Sequence, residues 1–178
     1  IINVLFGDGL GDFIVTQTIA SSYAGFNNIV LGDFNNDNEL DIAMVRPLVT
    51  AFVINVYNGS ANGTFSETPE ITTLAQDRNG SILSLVIGDF NSDGDEDLSF
   101  ASYLSVDSSS SSSILRANML LGDGSGSFNL FSNEVVIYDW IGSPSYLTVG
   151  DFNADGRQDL IATNIVAIDG RHQSNILF

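Results

Sequence analysis

The chain has 178 residues, 44% of them hydrophobic, enough to bury a substantial core in one domain or part of one. Its 22 acids face five bases, all arginine, for a formal net charge of −17, so no basic stripe can replace phosphate counterions, and nucleic acid and anionic membrane surfaces are excluded as partners. Cysteine is absent, which removes disulfide and thiolate chemistry, and no apolar run is long enough for a membrane-spanning helix, so membrane insertion is not expected.

In chain order, Asn3-Val4-Leu5-Phe6 predicts a strand that runs into the glycine-rich hairpin Gly7-Asp8-Gly9-Leu10-Gly11-Asp12-Phe13 and returns as Phe13-Ile14-Val15-Thr16. Residues 1–26 therefore read as the last two strands of a four-stranded unit. The chain opens on a strand and not on a signal peptide, so it is expected to start inside a longer or processed polypeptide.

Residues 27–78 read as a complete unit. Ile29-Val30-Leu31 enters the polar loop Asp33-Phe34-Asn35-Asn36-Asp37-Asn38-Glu39-Leu40-Asp41, and Ile42-Ala43-Met44-Val45 leaves it. Ile54-Asn55-Val56-Tyr57 then leads into a second glycine hairpin at 58–65, and Ile71-Thr72-Thr73-Leu74 follows. Residues 79–140 repeat the plan: Leu85-Val86-Ile87, a loop from Asp89 to Asp97, Leu98-Ser99-Phe100-Ala101, Asn118-Met119-Leu120-Leu121, a hairpin at 122–128 and Val135-Val136-Ile137-Tyr138. A serine run, Ser108 to Ser113, reads as an exposed connection within this unit, and Trp140 and Pro144 as packing and turn residues between units. Residues 141–178 supply three strands of a further unit: Tyr146-Leu147-Thr148-Val149, a loop from Asp151 to Asp159, Leu160-Ile161-Ala162-Thr163, and a last strand, Asn175-Ile176-Leu177-Phe178, after a turn at Gly170 to Ser174. The polar loops recur roughly every 60 residues, the spacing of a propeller-type repeat. The expected fold is all-β, with blades of four antiparallel strands and about three repeats, an incomplete or open propeller.

Across the three loops, Asp stands at positions 1, 5 and 9 and Asn at position 3. Oxygen donors at alternate positions of a tight loop suit one hard cation of the Ca²⁺ type, with a backbone carbonyl at position 7. Position 6 must turn sharply and is Asn38, Gly94 or Gly156, residues that tolerate positive φ. An EF-hand would carry Glu at position 12, where this chain has Met44, Phe100 and Ala162. A plain hairpin turn needs none of these carboxylates, and without a cation they repel one another.

These loops, each preceded by an apolar strand ending in Gly32, Gly88 or Gly150, resemble the FG-GAP/VCBS repeat family, the calcium-binding propeller blades also found in integrin α-subunit heads. The resemblance implies about three Ca²⁺ ions. One would be held by Asp33, Asn35, Asp37 and Asp41, one by Asp89, Asn91, Asp93 and Asp97, and one by Asp151, Asn153, Asp155 and Asp159. The carbonyls of Glu39, Asp95 and Arg157 would complete the shells. The first loop departs from the family pattern at Asn38, where glycine is usual.

No catalytic set is legible: His172 is the sole histidine, lysine and cysteine are absent, and the acids are concentrated in the loops. The chain is therefore not expected to be an enzyme. Two binding classes remain. One is a lectin-like or adhesion module for glycan or protein ligands, in which Phe34, Phe90 and Phe152 more simply plug the blade interfaces. The other, preferred, is an extracellular structural module that assembles with further copies of itself or with adjacent blades of a longer chain, as a filament, ring or surface scaffold. The sequons at Asn58, Asn62 and Asn79 suit N-glycosylation of exposed loops. Asn175-Ile176-Leu177-Phe178 also repeats Asn3-Val4-Leu5-Phe6, so copies joined end to end would complete blades across the junction.

Overall fold

The computed structural model describes residues 1–20, 28–48, 51–75, 80–105, 113–131, 135–139, 142–166 and 172–177. These hold fourteen strands and no helix. Strands β1 (Ile2–Gly7) and β2 (Phe13–Ile19) form a two-stranded sheet. Strands β3 (Ile29–Gly32), β4 (Asp41–Pro47), β5 (Ala51–Tyr57) and β6 (Glu70–Ala75) form a four-stranded antiparallel sheet in sequence order. The next sheet runs β7 (Gly80–Gly88), β8 (Asp97–Ser105), β9 (Ser113–Gly122), and its outer position is shared by β10 (Phe128–Leu130) and β11 (Val135–Asp139), which both pair β9. The last contains β12 (Gly142–Gly150), β13 (Asp159–Val166) and β14 (His172–Leu177). The arrangement is an open set of blades, all-β and without a closed barrel, as the repeat predicts.

Strict alternation along the strands explains why the sheets stack, because period 2 sends successive side chains to opposite faces and each interior sheet is apolar on both. On β4, Ile42 and Met44 join Ile19 and Tyr57 in a cluster with the β1–β2 sheet. Their neighbours Ala43 and Val45 point the other way, into the main core with Phe52, Ile54 and Val56 of β5 and with Ile82, Leu85, Leu98, Phe100, Leu120 and Phe128 of the next sheet. Phe52 and Phe100 meet edge to face across that interface, with ring centroids 4.6 Å apart. At the third interface, among the described residues, Ala101 and Ala117 face Leu147 and Ala162, with Leu83 and Val86 packed against them. There the Leu147 N–H donates to Ser84 Oγ at 3.0 Å, so a polar bond accompanies the apolar contact.

Three local expectations need correction. Pro144 lies within β12 and not in a turn between blades; it pairs with Asn164 at a register shift, where an interrupted ladder tolerates a residue without an N–H. His172, Gln173 and Ser174 are strand and not turn, because β14 continues its pairing with β13 as far as Ile165 opposite His172. Ser113 already belongs to β9, opposite Ser105. The rest of the serine run, Trp140 and the sequon asparagine Asn79 lie outside the described residues.

Phe100 is fully buried and its ring bridges two sheets. Phe100→Ala is expected to cost about 3–5 kcal/mol in urea unfolding; a loss below about 1 kcal/mol would contradict the stacked-sheet core.

Candidate metal centre

Each polar loop links the first two strands of its blade, and the three copies share one hydrogen-bond scheme. In the first, the Asp37 N–H donates to Asp33 Oδ1 at 3.0 Å and to Asn35 Oδ1 at 2.9 Å, so oxygens from positions 1 and 3 converge on one nitrogen at position 5. The Asn38 N–H donates to Asp33 Oδ2, and the Glu39 N–H to Asp37 Oδ1, both at 2.8 Å. The second loop repeats this with Asp93 on Asp89 and Asn91, Gly94 on Asp89, and Asp95 on Asp93. The third does so with Asp155 on Asp151 and Asn153, Gly156 on Asp151, and Arg157 on Asp155.

Two residues per loop hold the chain in this turn by adopting left-handed backbone. Position 6 does so as expected, at φ 66° for Asn38, 94° for Gly94 and 86° for Gly156, so Asn38 reproduces the turn that glycine makes elsewhere. Position 4 does so as well, at φ 59° for Asn36 and 60° for Ser92 and Ala154. Asn36 is a residue suited to this conformation, but Ser92 and Ala154 do not announce it in sequence, since Ala and Ser seldom take it.

Position 9 has a different task from positions 1, 3 and 5. Asp41 and Asp97 are completely buried and Asp159 nearly so. The Phe34 N–H donates to Asp41 Oδ2 at 3.1 Å and the Gly59 N–H to Asp41 Oδ1 at 2.7 Å. Asp97 accepts from Phe90 at 2.9 Å and from Gly122 at 2.9 Å, and Asp159 accepts from Phe152 at 2.9 Å. In the first two of these blades the position-9 carboxylate thus ties the start of its own loop to a glycine at or just beyond the end of the third strand. Gly59 and Gly122 permit it by close approach, for a Cβ there would fall on the carbonyl oxygen of Leu40 or Glu96. Among the described residues no group of three or more His, Cys, Asp or Glu side chains stands at metal-holding geometry. Each loop gathers two carboxylates and one amide at positions 1, 5 and 3, which accept from N–H groups of the loop itself, while the position-9 carboxylate accepts from the N–H of position 2. An all-oxygen donor set of this kind fits a hard cation.

Position 8 was not a predicted site residue, yet it joins the blades. Glu96 reaches back to the preceding blade, where a Cβ on Gly32 would strike its carboxylate, and Gln158 lies against Gly88 in the same way. Glu96 Oε2 is buried there without a hydrogen-bond partner. Asn36 Nδ2 adds a bond to Asp95 Oδ1 at 2.7 Å, and the Gly126 N–H donates to the Phe34 carbonyl at 2.7 Å. Phe34 itself sits edge to face with Phe128, centroids 5.6 Å apart.

Burial pushes the Asp41 and Asp97 carboxyls above the ordinary 3.8 despite their backbone bonds, and burial likewise raises Glu96 above 4.5, with Asp33 and Asp41 adding repulsion. Three exposed acids go the other way. Asp8 is lowered chiefly by the Leu10 N–H, Asp123 by the Ser125 hydroxyl and Asp155 by the Arg157 N–H. In the third loop the Arg157 guanidinium also pairs with Asp155 Oδ2 at 2.9 Å, so a cation of the chain's own already faces a position-5 carboxylate.

The sequons differ in access. Asn58 is half-buried, with Nδ2 donating to Glu70 Oε1 at 3.2 Å and Oδ1 buried. Asn62 is exposed at the tip of the same hairpin, where its Oδ1 accepts from the Thr64 N–H at 3.0 Å. His172 lies on β14, paired with Ile165 of β13.

In metal-free buffer, Asp97→Ala is expected to cost about 3 kcal/mol, because it leaves the Phe90 and Gly122 N–H groups without an acceptor. Asp93→Ala should cost clearly less, and equal losses in urea titrations would mean that positions 5 and 9 do not differ in role. For pH the raised carboxyls decide the sign. Their protonated forms contribute stability that is complete below the unfolded values of 3.8 and 4.5 and is lost as pH rises through the raised folded-state values. Asp8, Asp123 and Asp155 act oppositely but from exposed, well-screened positions. Metal-free protein is therefore expected to become less stable as pH rises from about 4 towards neutrality. A rising stability over that window in stepwise urea melts would contradict the burial of these groups.

Compared with known proteins, the chain matches no family model and no curated protein sequence.

Proposed function

We propose that this chain is an extracellular, calcium-stabilised repeat module with a structural role, built to assemble with further copies of itself, and related to the FG-GAP/VCBS blades that its loops resemble. The observation that carries the proposal is the threefold recurrence of one loop scheme at the same place in each blade. Its anchors are backbone N–H groups of the loop and of the neighbouring hairpin. Such a loop stiffens a sheet.

Calcium would be held by Asp33, Asn35 and Asp37, by Asp89, Asn91 and Asp93, and by Asp151, Asn153 and Asp155. The position-9 carboxylates Asp41, Asp97 and Asp159 and the carbonyls of Glu39, Asp95 and Arg157 would complete the shells. A bound divalent cation supplies charge neutralisation that the loop lacks. The chain's own residues do the rest: the left-handed turns at positions 4 and 6 bring the donors round, and position 9 fastens the loop to the third strand. With a net charge of −17, neutralisation also lessens the repulsion between copies that a scaffold must overcome. N-glycosylation fits this setting, with Asn62 the accessible sequon of its hairpin.

Calcium titration is expected to raise the melting temperature and to shift sedimentation towards larger species, and a chelator to reverse both. Asp93→Ala should bind fewer ions by calorimetry and show a smaller thermal shift. An unchanged melt at millimolar calcium would remove the metal from the proposal, and a calcium-saturated protein that sediments as a single compact chain at high concentration would remove the assembly.

A further inference from the structure

The hairpin after β5 holds two Asn-Gly steps, Asn58-Gly59 and Asn62-Gly63, and the fold gives them opposite surroundings. An asparagine followed by glycine is open to a reaction that needs no enzyme. The backbone nitrogen of the glycine can add to the side-chain carbonyl carbon, because no Cβ on the following residue obstructs the approach. Negative charge then collects on the amide oxygen Oδ1. Donors aimed at that oxygen favour the step, and their absence opposes it.

At Asn62 the donors are in place. Its Oδ1 accepts from the Thr64 N–H at 3.0 Å and from the Thr64 hydroxyl at 2.7 Å. Ser60 Oγ stands 2.7 Å from the same oxygen and shares its proton with the Thr64 carbonyl at 2.9 Å. The residue is exposed, so water reaches it, and the Gly63 N–H donates to a neutral acceptor, the Ser60 carbonyl, at 2.7 Å. Asn58 is the reverse on each count. Its Oδ1 is buried without a hydrogen-bond partner, and its Nδ2 donates to Glu70 Oε1 at 3.2 Å. The Gly59 N–H donates to the buried Asp41 carboxylate at 2.7 Å, and negative charge there opposes the loss of a proton from that nitrogen. An oxyanion on Asn58 would be left unsatisfied away from water.

We propose that Asn62, wherever it carries no glycan, converts itself to a mixture of aspartate and isoaspartate, while Asn58 remains asparagine as long as the blade is folded. The Gly63 nitrogen loses its proton to solvent base and bonds to Asn62 Cγ. The Cγ–Nδ2 bond breaks and Nδ2 leaves with a solvent proton as ammonia, which closes a succinimide ring. Water then opens the ring. Cleavage of the new Cγ–N bond gives aspartate, and cleavage of the original bond from the Asn62 main-chain carbonyl carbon to that nitrogen gives isoaspartate. One water is consumed and one ammonia released, with no oxidant or reductant. A glycan is the alternative fate of the same Nδ2, so the two modifications exclude each other. Either acid adds a negative charge to an already acidic chain. Isoaspartate also adds a carbon to the main chain beside Gly63, which lies so close to the Phe6 ring that a Cβ there would collide with it. The conversion thus alters the contact between this hairpin and the β1–β2 sheet.

The test uses the whole chain produced without glycosylation and held folded in mildly alkaline buffer at body temperature, with a second sample unfolded in urea. Peptide mapping by tandem mass spectrometry follows the amide-to-acid mass change at each asparagine, and fragmentation by electron transfer separates aspartate from isoaspartate. In the folded chain Asn62 is expected to convert roughly tenfold faster than Asn58 or more, and in urea the two should convert at similar rates. Incubation in heavy-oxygen water should place the label in both acids, as ring opening by water requires. A folded-state ratio equal to that in urea, or a folded Asn62 that stays unchanged while the unfolded one converts, overturns the proposal. Thr64→Val keeps the N–H donor and the side-chain shape but removes the hydroxyl. It is expected to slow Asn62 roughly tenfold in the folded chain and to leave Asn58 and the melting temperature as they are. An unchanged or faster rate in that variant overturns the role given to the donors around Oδ1.

Discussion

A buried carboxylate that must be bonded is the constraint from which each blade is built. Asp41 and Asp97 have no contact with solvent, and an ionised group in that setting is tolerable only if its oxygens are satisfied. The donors come from two places, the second residue of the loop and the glycine closing the third strand. Satisfying the charge therefore fixes where the loop starts relative to the second hairpin. The glycine requirement follows, since any side chain at Gly59 or Gly122 would collide with the carbonyl of position 8.

From that clamp the interface between blades follows in turn. With position 9 buried, position 8 is directed across to the preceding blade, and Glu96 and Gln158 rest on Gly32 and Gly88. Position 2 is held by the same carboxylate, which sets Phe34 beneath the Phe128 hairpin. One carboxylate thus couples the inside of a blade to the packing of its neighbours. The remaining acids, at positions 1 and 5 with the amide at 3, are left at the surface with their oxygens gathered, where a cation would lower their mutual repulsion. Arg157 shows that the loop accepts positive charge there, since it already pairs with Asp155.

Apolar residues fill the interfaces along the array. The main core holds Phe52, Phe100, Phe128 and the aliphatic residues around them, and at the next interface Ala101, Ala117 and Ala162 gather with Leu147, with Leu83 and Val86 packed against them. The Leu147 N–H adds a bond to Ser84 Oγ across that interface.

Sequence by itself determined the class of fold, the fourfold strand plan of each blade and the loops between first and second strands, because period-2 alternation, glycine hairpins and the recurring Asp and Asn positions are all local signals. Position 6 was likewise legible, since Asn and Gly are the residues suited to positive φ. Only the tertiary structure decided that position 9 is a buried clamp, that position 8 spans two blades and that position 4 also turns left-handed. Each of those depends on a partner about 20 to 70 residues away or on backbone strain that Ala154 and Ser92 do not advertise. The same reasoning separates Asn58 from Asn62: alike as sequons in sequence, one is half-buried with its amide on Glu70 and the other is exposed at a hairpin tip.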